Sequence, residues 1–227
     1  METDRPSTAL KPHFRLAALR RFTSPSAPRV VPPEIESCEL CSVTLPPRHR
    51  HLLETEKRTL VCACDACALR FEGVIGGRFA LIPRDARRLS AFQLTDEQWT
   101  DLALPIDLAF VFQSTAAGRV VALYPGPAGA VESLLTFATW TDLVAANPVL
   151  AALQPDVEAL LINRRGATRA YYFAPIDLCY ELVGLMRRRW VGLSGGPEVW
   201  RDIDEFFARL ATTREQEPAG QTEAAHA

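Results

Sequence analysis

Five of the six cysteines in the chain fall within 30 residues: Cys38, Cys41, Cys62, Cys64 and Cys67. Cys38-Glu39-Leu40-Cys41 and Cys64-Asp65-Ala66-Cys67 are two Cys-x-x-Cys pairs with 22 residues between them. In each pair a tight turn lets two thiolates face one ion while backbone amides donate to the sulfurs. Two such knuckles close a tetrahedron, the arrangement of a zinc ribbon or a rubredoxin-like site. The expected ligands are Cys38, Cys41, Cys64 and Cys67, and the expected ion is Zn²⁺. Iron is the alternative, because four thiolates also hold rubredoxin-type iron; the tightly grouped cysteines of a bacterial ferredoxin run are absent.

Three further residues compete for places around that ion. Cys62 lies two positions before Cys64 and could replace it or stand beside the site. His49 and His51 lie between the knuckles, in Arg48-His49-Arg50-His51-Leu52-Leu53. On a strand they share a face. They could serve as a metal ligand or as outer hydrogen-bond partners, or simply line a hairpin surface. Four thiolates leave no vacant position on the ion. Such a site stabilises a fold rather than activating a nucleophile.

A disulfide framework would require export. The N-terminal Met1–Leu10 carries Glu2, Asp4 and Arg5 and no apolar run, so it does not read as a secretory signal, and a reducing, cytoplasmic setting is the expectation. No run of about 18 apolar residues is present, which argues against a bilayer-spanning helix. The 25 basic and 27 acidic side chains give a net charge of −2, which speaks against a dedicated nucleic-acid binder.

Around the cysteines the chain divides into four parts. Residues 1–35 read as a basic arm, helical over about 10–22, followed by a Pro/Ser linker. Residues 36–72 form the ribbon-like module, helix-free, with a hairpin over roughly 48–53 and 58–62. Residues 73–211 form a larger α+β region, and residues 212–227 a flexible, Glu/Gln/Ala-rich tail. In the larger region Arg78–Pro83 looks like a strand, and Thr95 with Gln98 forms a capping box that opens a helix. Strand pairs are expected at 106–113 with 119–124, and at 156–163 with 168–173. Helices are expected over 137–146, 175–190 and 197–211. Strict βαβ alternation is absent, so the fold class is α+β: a small zinc-ribbon or rubredoxin-like module followed by a mostly antiparallel sheet packed with helices.

Catalytic patterns are scarce. Tyr124-Pro125-Gly126-Pro127-Ala128-Gly129 lacks the Lys-Ser/Thr ending of a phosphate loop and loses amide donors at its prolines, so it reads as a turn. His13 and His226 lie near the chain ends, and Cys179 sits alone on an apolar helix as a small hydrophobe. Asp177 and Glu181 share a helix face and could do acid–base work, but a polar edge on a buried helix is the simpler reading. Arg187–Arg189 complement the negative end of that helix. Trp190 and Trp200 are placed to staple the last two helices. The polar inventory suits an accessory or interaction protein better than an enzyme; the alternatives are a rubredoxin-like iron electron-transfer protein and a thiol or metal-handling enzyme using Cys62 with His49 or His51.

Several segments taken together resemble a known family: Cys38-Glu-Leu-Cys41, His49-Arg-His51-Leu-Leu, Cys62-Ala-Cys64-Asp-Ala-Cys67, Tyr124-Pro-Gly-Pro-Ala-Gly, Asp156-Val-Glu-Ala-Leu-Leu, and Pro175-Ile-Asp-Leu-Cys-Tyr-Glu-Leu-Val-Gly through Leu193-Ser-Gly-Gly. Over about residues 36–211 the chain is similar to an uncharacterised bacterial domain-of-unknown-function family. That family is encoded beside genes for high-affinity, oxygen-tolerant nickel–iron uptake hydrogenases. It has no established activity, so the resemblance assigns no residue a role. It implies an accessory in hydrogenase maturation, assembly or electron transfer, with a hydrogenase subunit or maturation factor as protein partner.

Overall fold

A computed structural model of the protein describes residues 36–72, 77–133 and 137–212. The basic arm, the proline linker and the tail beyond Thr212 lie outside them.

The cysteine-rich part is built on a hairpin. β1 (Arg50–Glu54) runs antiparallel to β2 (Thr59–Ala63), so that His51 stands directly opposite Cys62 and Leu52 opposite Val61. Residues 65–71 then form a short helix, α1 (Asp65–Phe71), where a helix-free ribbon was expected. The helix has a local cause. Cys64 caps the helix by accepting the Cys67 amide at its sulfur, and Ala66, Ala68, Leu69 and Arg70 are all good helix formers. β3 (Phe79–Leu81) pairs with the free edge of β1 and completes a three-stranded sheet in the order β2-β1-β3. This module therefore takes a strand from beyond residue 72.

Alternation along β1 and β2 divides the hairpin between two cores. Leu52, Val61 and Ala63 pack with Ala68, Cys67, Phe71 and Phe79 under α1. Leu53 and Leu60 point the other way, into the main body.

That body is a six-stranded, wholly antiparallel sheet. Its strands are β4 (Arg87–Arg88), β5 (Leu108–Ser114), β6 (Arg119–Gly126), β7 (Gly129–Glu132), β8 (Glu158–Asn163) and β9 (Ala170–Pro175). They lie in the order β4-β9-β8-β5-β6-β7. The meander β5–β6–β7 runs outward on one side; the chain then crosses back to lay β8 against β5 and β9 beyond it. Tyr124–Gly129, read as a turn, is the β6–β7 connection together with the strand ends that flank it.

Helices cover both faces. α4 (Ile176–Arg189) and α5 (Gly196–Ala211) pack on the side of Phe110, Phe112, Leu161 and Tyr172. α3 (Phe137–Ala146) and a 3₁₀ turn (Pro148–Ala152) cover Val111, Leu160, Ile162 and Phe173. α2 (Asp96–Asp101) opens with the capping box of Thr95 and Gln98. With both faces buried, β8 is enclosed along its whole length, and its Leu160, Leu161 and Ile162 each contribute about 1.5–3 kcal/mol of burial.

The last two helices are joined as their tryptophans suggested. The Trp190 and Trp200 rings meet edge-to-face at 5.9 Å, and their indole N–H groups donate to the Gly192 and Ser194 carbonyls. Arg189 pairs with Asp202 at 2.9 Å across the same junction. Among the described residues no helix is long and apolar enough to cross a membrane.

Candidate metal centre

The first knuckle is a tight turn tied down by its own backbone. The Cys38 amide donates to the Val43 carbonyl at 2.8 Å, and the Ser42 amide donates to the Cys38 carbonyl at 2.7 Å. Ser42 closes the turn with a left-handed φ of 63°. The second knuckle is the step from β2 into α1, with Cys64 as cap and Cys67 in the first turn. Glu39 fastens one knuckle to the other: its amide donates to the Cys62 carbonyl at 2.9 Å, and its carboxylate accepts the Cys62 amide at 2.8 Å.

These contacts bring Cys38, Cys41, Cys64 and Cys67 into one cluster, with all four sulfurs within 4.8 Å of one another. The Cys41 and Cys64 sulfurs are 3.7 Å apart. A disulfide requires about 2 Å, whereas the edge of a tetrahedron with 2.3 Å zinc–sulfur bonds is about 3.8 Å. The donor set therefore fits a thiophilic ion.

The electrostatics point the same way. Burial alone would push the Cys38 thiol up, but the amides of Cys64, Leu40 and Cys41 aimed at its sulfur outweigh burial and bring it down to about 6. Cys67 moves oppositely: burial first, then its crowding by the Cys41, Cys64 and Cys38 sulfurs, pushes it up to about 12. One thiolate forms readily and opposes further ionisation nearby. A cation at the centre removes that repulsion and favours all four thiolates together.

Cys62 stands elsewhere. Alternation along β2 turns it away from Val61 and Ala63, toward the face that carries His51. There Cys62, His49 and His51 form a second group whose ligand atoms also lie within 4.8 Å of one another. His51 Nδ1 is 2.6 Å from Asp177 Oδ2 on α4. His49 Nδ1 is 3.0 Å from the Pro46 carbonyl and 3.5 Å from Glu36 Oε2. The two Nε2 atoms face each other at 3.1 Å. Hydrogen bonding to Asp177 raises the His51 pKa against the opposing effect of burial. Burial, followed by the charges of Glu36 and Glu39, pushes the Cys62 thiol up.

Asp177 and Glu181 do not act as a pair, and Asp177 is more than a polar edge. Glu181 bridges to Arg209 at 3.1 Å, while Asp177 is committed to His51 and to the Leu178 amide. The structure brings Cys62 together with both histidines, the combination that the thiol or metal-handling alternative drew on. The signal for it was the hairpin register: a four-residue connection at 55–58 sets position 51 opposite position 62. Cys179 is fully buried, and burial pushes its thiol far above the usual range, as befits a small core hydrophobe.

Fold and site together define an α+β protein with antiparallel sheets and a four-cysteine cluster able to hold a metal ion. Residues 37–214 match a family described as a family of unknown function, DUF5947, and the chain belongs to it. No curated protein and no solved structure gives a match. Nothing in the family match concerns hydrogenases.

Proposed function

We propose that this is a non-enzymatic accessory protein whose ribbon-like module is held by a structural Zn²⁺ on Cys38, Cys41, Cys64 and Cys67, and which acts by binding a protein partner. The single observation that carries the reading is the gathering of four sulfurs within 4.8 Å of one another, with the Cys41–Cys64 pair at 3.7 Å, because a complete thiolate shell has no position left for water or substrate. The exposed apolar side chains Val43 and Leu69, each within two residues of a cluster cysteine, suit a docking surface on this module. The resemblance supplies the context: maturation or assembly of a nickel–iron hydrogenase in the cytoplasm, with a hydrogenase subunit or maturation factor as partner.

Elemental analysis of the purified full chain tests the metal. The expected result is a colourless protein holding zinc, with one equivalent lost on Cys38→Ser. A red, iron-containing preparation with thiolate-to-iron absorbance would replace this reading by rubredoxin-like electron transfer. Affinity capture from a hydrogenase-expressing host tests the partner. Hydrogenase subunits or maturation factors should be retained by the wild-type chain and lost on Leu69→Asp; their absence from the wild-type capture would remove the hydrogenase context.

A further inference from the structure

The second cluster has the donors and the supporting hydrogen bonds of a metal site of its own, and its two histidines line a cleft. His49 and His51 each direct Nδ1 at an acceptor: the Pro46 carbonyl and Glu36 for His49, Asp177 for His51. An acceptor at Nδ1 fixes the proton there and leaves Nε2 as a bare lone pair. The two Nε2 atoms therefore present lone pairs to each other at 3.1 Å. Such an approach is repulsive unless a cation or a proton lies between them. In a tetrahedron with 2.0–2.1 Å zinc–nitrogen bonds the nitrogen–nitrogen edge is about 3.3 Å. The two rings stand nearly perpendicular, at 82°, so their lone pairs can converge without stacking.

Cys62 completes the face from the paired strand. Three carboxylates surround the trio. Glu36 lies at His49, Glu39 accepts the Cys62 amide, and Asp177 backs His51. Asp177 is held in turn by the Leu178 amide at 2.7 Å. This carboxylate–histidine pairing is the support that metal-ligating imidazoles use. The histidines and Asp177 line a cleft of about 530 Å³ with Arg48, Arg84 and Asp85 at its rim. Both arginines already face carboxylates: Arg48 faces Asp85 at 3.9 Å and Arg84 faces Asp65 at 2.9 Å.

We propose that His49 Nε2, His51 Nε2 and Cys62 Sγ form a second metal site, separate from the four-cysteine cluster, which binds a borderline divalent cation such as Zn²⁺ or Co²⁺ and keeps its fourth position open to the cleft. Two imidazoles and one thiolate match the preference of such ions for mixed nitrogen and sulfur donors. Three protein ligands with an open fourth position characterise exchangeable or reactive sites rather than structural ones. The site adds metal handling to the accessory role without depending on the identity of the four-cysteine ion.

Metal counting on the full-length protein tests it. Zn²⁺ is titrated into the wild type, Cys62→Ser and His49→Gln in competition with a chromophoric chelator, and folding is followed by circular dichroism. Each variant should bind one equivalent fewer than the wild type while staying folded. Co²⁺ loaded into the difference equivalent should give tetrahedral visible bands with the charge-transfer intensity of one thiolate. Asp177→Asn should keep that equivalent but bind it roughly 10–100-fold more weakly. Should Cys62→Ser fail to fold, His49→Gln decides the count. Variants that hold as much metal as the wild type would overturn the site and leave the histidines sharing a proton. Because the count is a difference, it stays separable from the four-cysteine reading: if that cluster held nothing, the wild type would bind one equivalent and the variants none.

Discussion

His51 and Asp177, separated by 126 positions in the chain, meet at 2.6 Å, so that the cysteine-rich hairpin is fastened to the first turn of α4 by a charge-assisted hydrogen bond. Raising the His51 pKa is one consequence; fixing the imidazole so that Nε2 points at His49 is the other. Asp177→Ala should lower stability by about 1–2 kcal/mol, the worth of a partly exposed hydrogen bond to a charged group. Denaturant unfolding of the two proteins checks this, and equal midpoints would refute it.

The four-cysteine cluster predicts a chelator-sensitive fold. Stripping the metal, or making Cys38→Ser or Cys67→Ser, should depress the thermal midpoint steeply, because the core under α1 is only a few side chains and the ion's binding energy is folding energy. A melting curve unmoved by a strong chelator, with metal loss verified, would show that the cluster does not depend on an ion.

Gly195 lies in the left-handed region at φ 87°, and an added Cβ would come within 2.8 Å of Val199 and 3.0 Å of the Trp190 ring. Gly195→Ala should therefore cost about 1–3 kcal/mol and disturb the Trp190–Trp200 contact. Fluorescence-detected unfolding reports both effects, and a neutral substitution would mean that the turn can readjust.

Asn147, buried at the end of α3, accepts the Gln93 amide at 2.7 Å and donates to the Gln93 and Leu143 carbonyls at 2.7 and 3.0 Å. Asn147→Ala strands three backbone groups and should destabilise the protein by about 2–4 kcal/mol. Asn147→Asp, which keeps the acceptor but loses the donors, should also destabilise. A loss under about 0.5 kcal/mol for the alanine variant, below the cost of one ordinary hydrogen bond, would contradict this role.

Arg78, at 2.6 Å, and Lys57, at 3.1 Å, hold the Glu54 carboxyl below its usual range. A depressed folded pKa gives stability that is fully present above the unfolded carboxylate value of about 4.3 and lost as pH falls through the folded value. The midpoint difference between wild type and Glu54→Gln should therefore be largest near neutral pH and close in acid. A difference that stays constant from pH 7 to pH 3 would exclude the ion pairs as its source.

Local chemistry made much of the protein legible from sequence. The Cys-x-x-Cys spacing named the residues that the structure gathers, the Thr95–Gln98 box opens α2, and the apolar stripe Val199, Ile203, Phe206, Phe207 and Leu210 is the buried side of α5. Each of these signals lies within a turn or two of one element. Less was visible where burial is two-sided. The main sheet carries helices on both faces, so β5 and β8 lack the alternation that tells which face packs on what.

What the sequence determined alone is a pair of knuckles, a set of amphipathic helices and an α+β class, because capping, turns and periodicity are properties of neighbouring residues. Tertiary structure decided where Cys62 goes and what Asp177 does. Strand register turned Cys62 away from the other thiols toward His49 and His51, and the packing of α4 against the hairpin delivered a carboxylate from 126 residues away. Neither follows from spacing, since both depend on which faces the small sheet shows to its two cores.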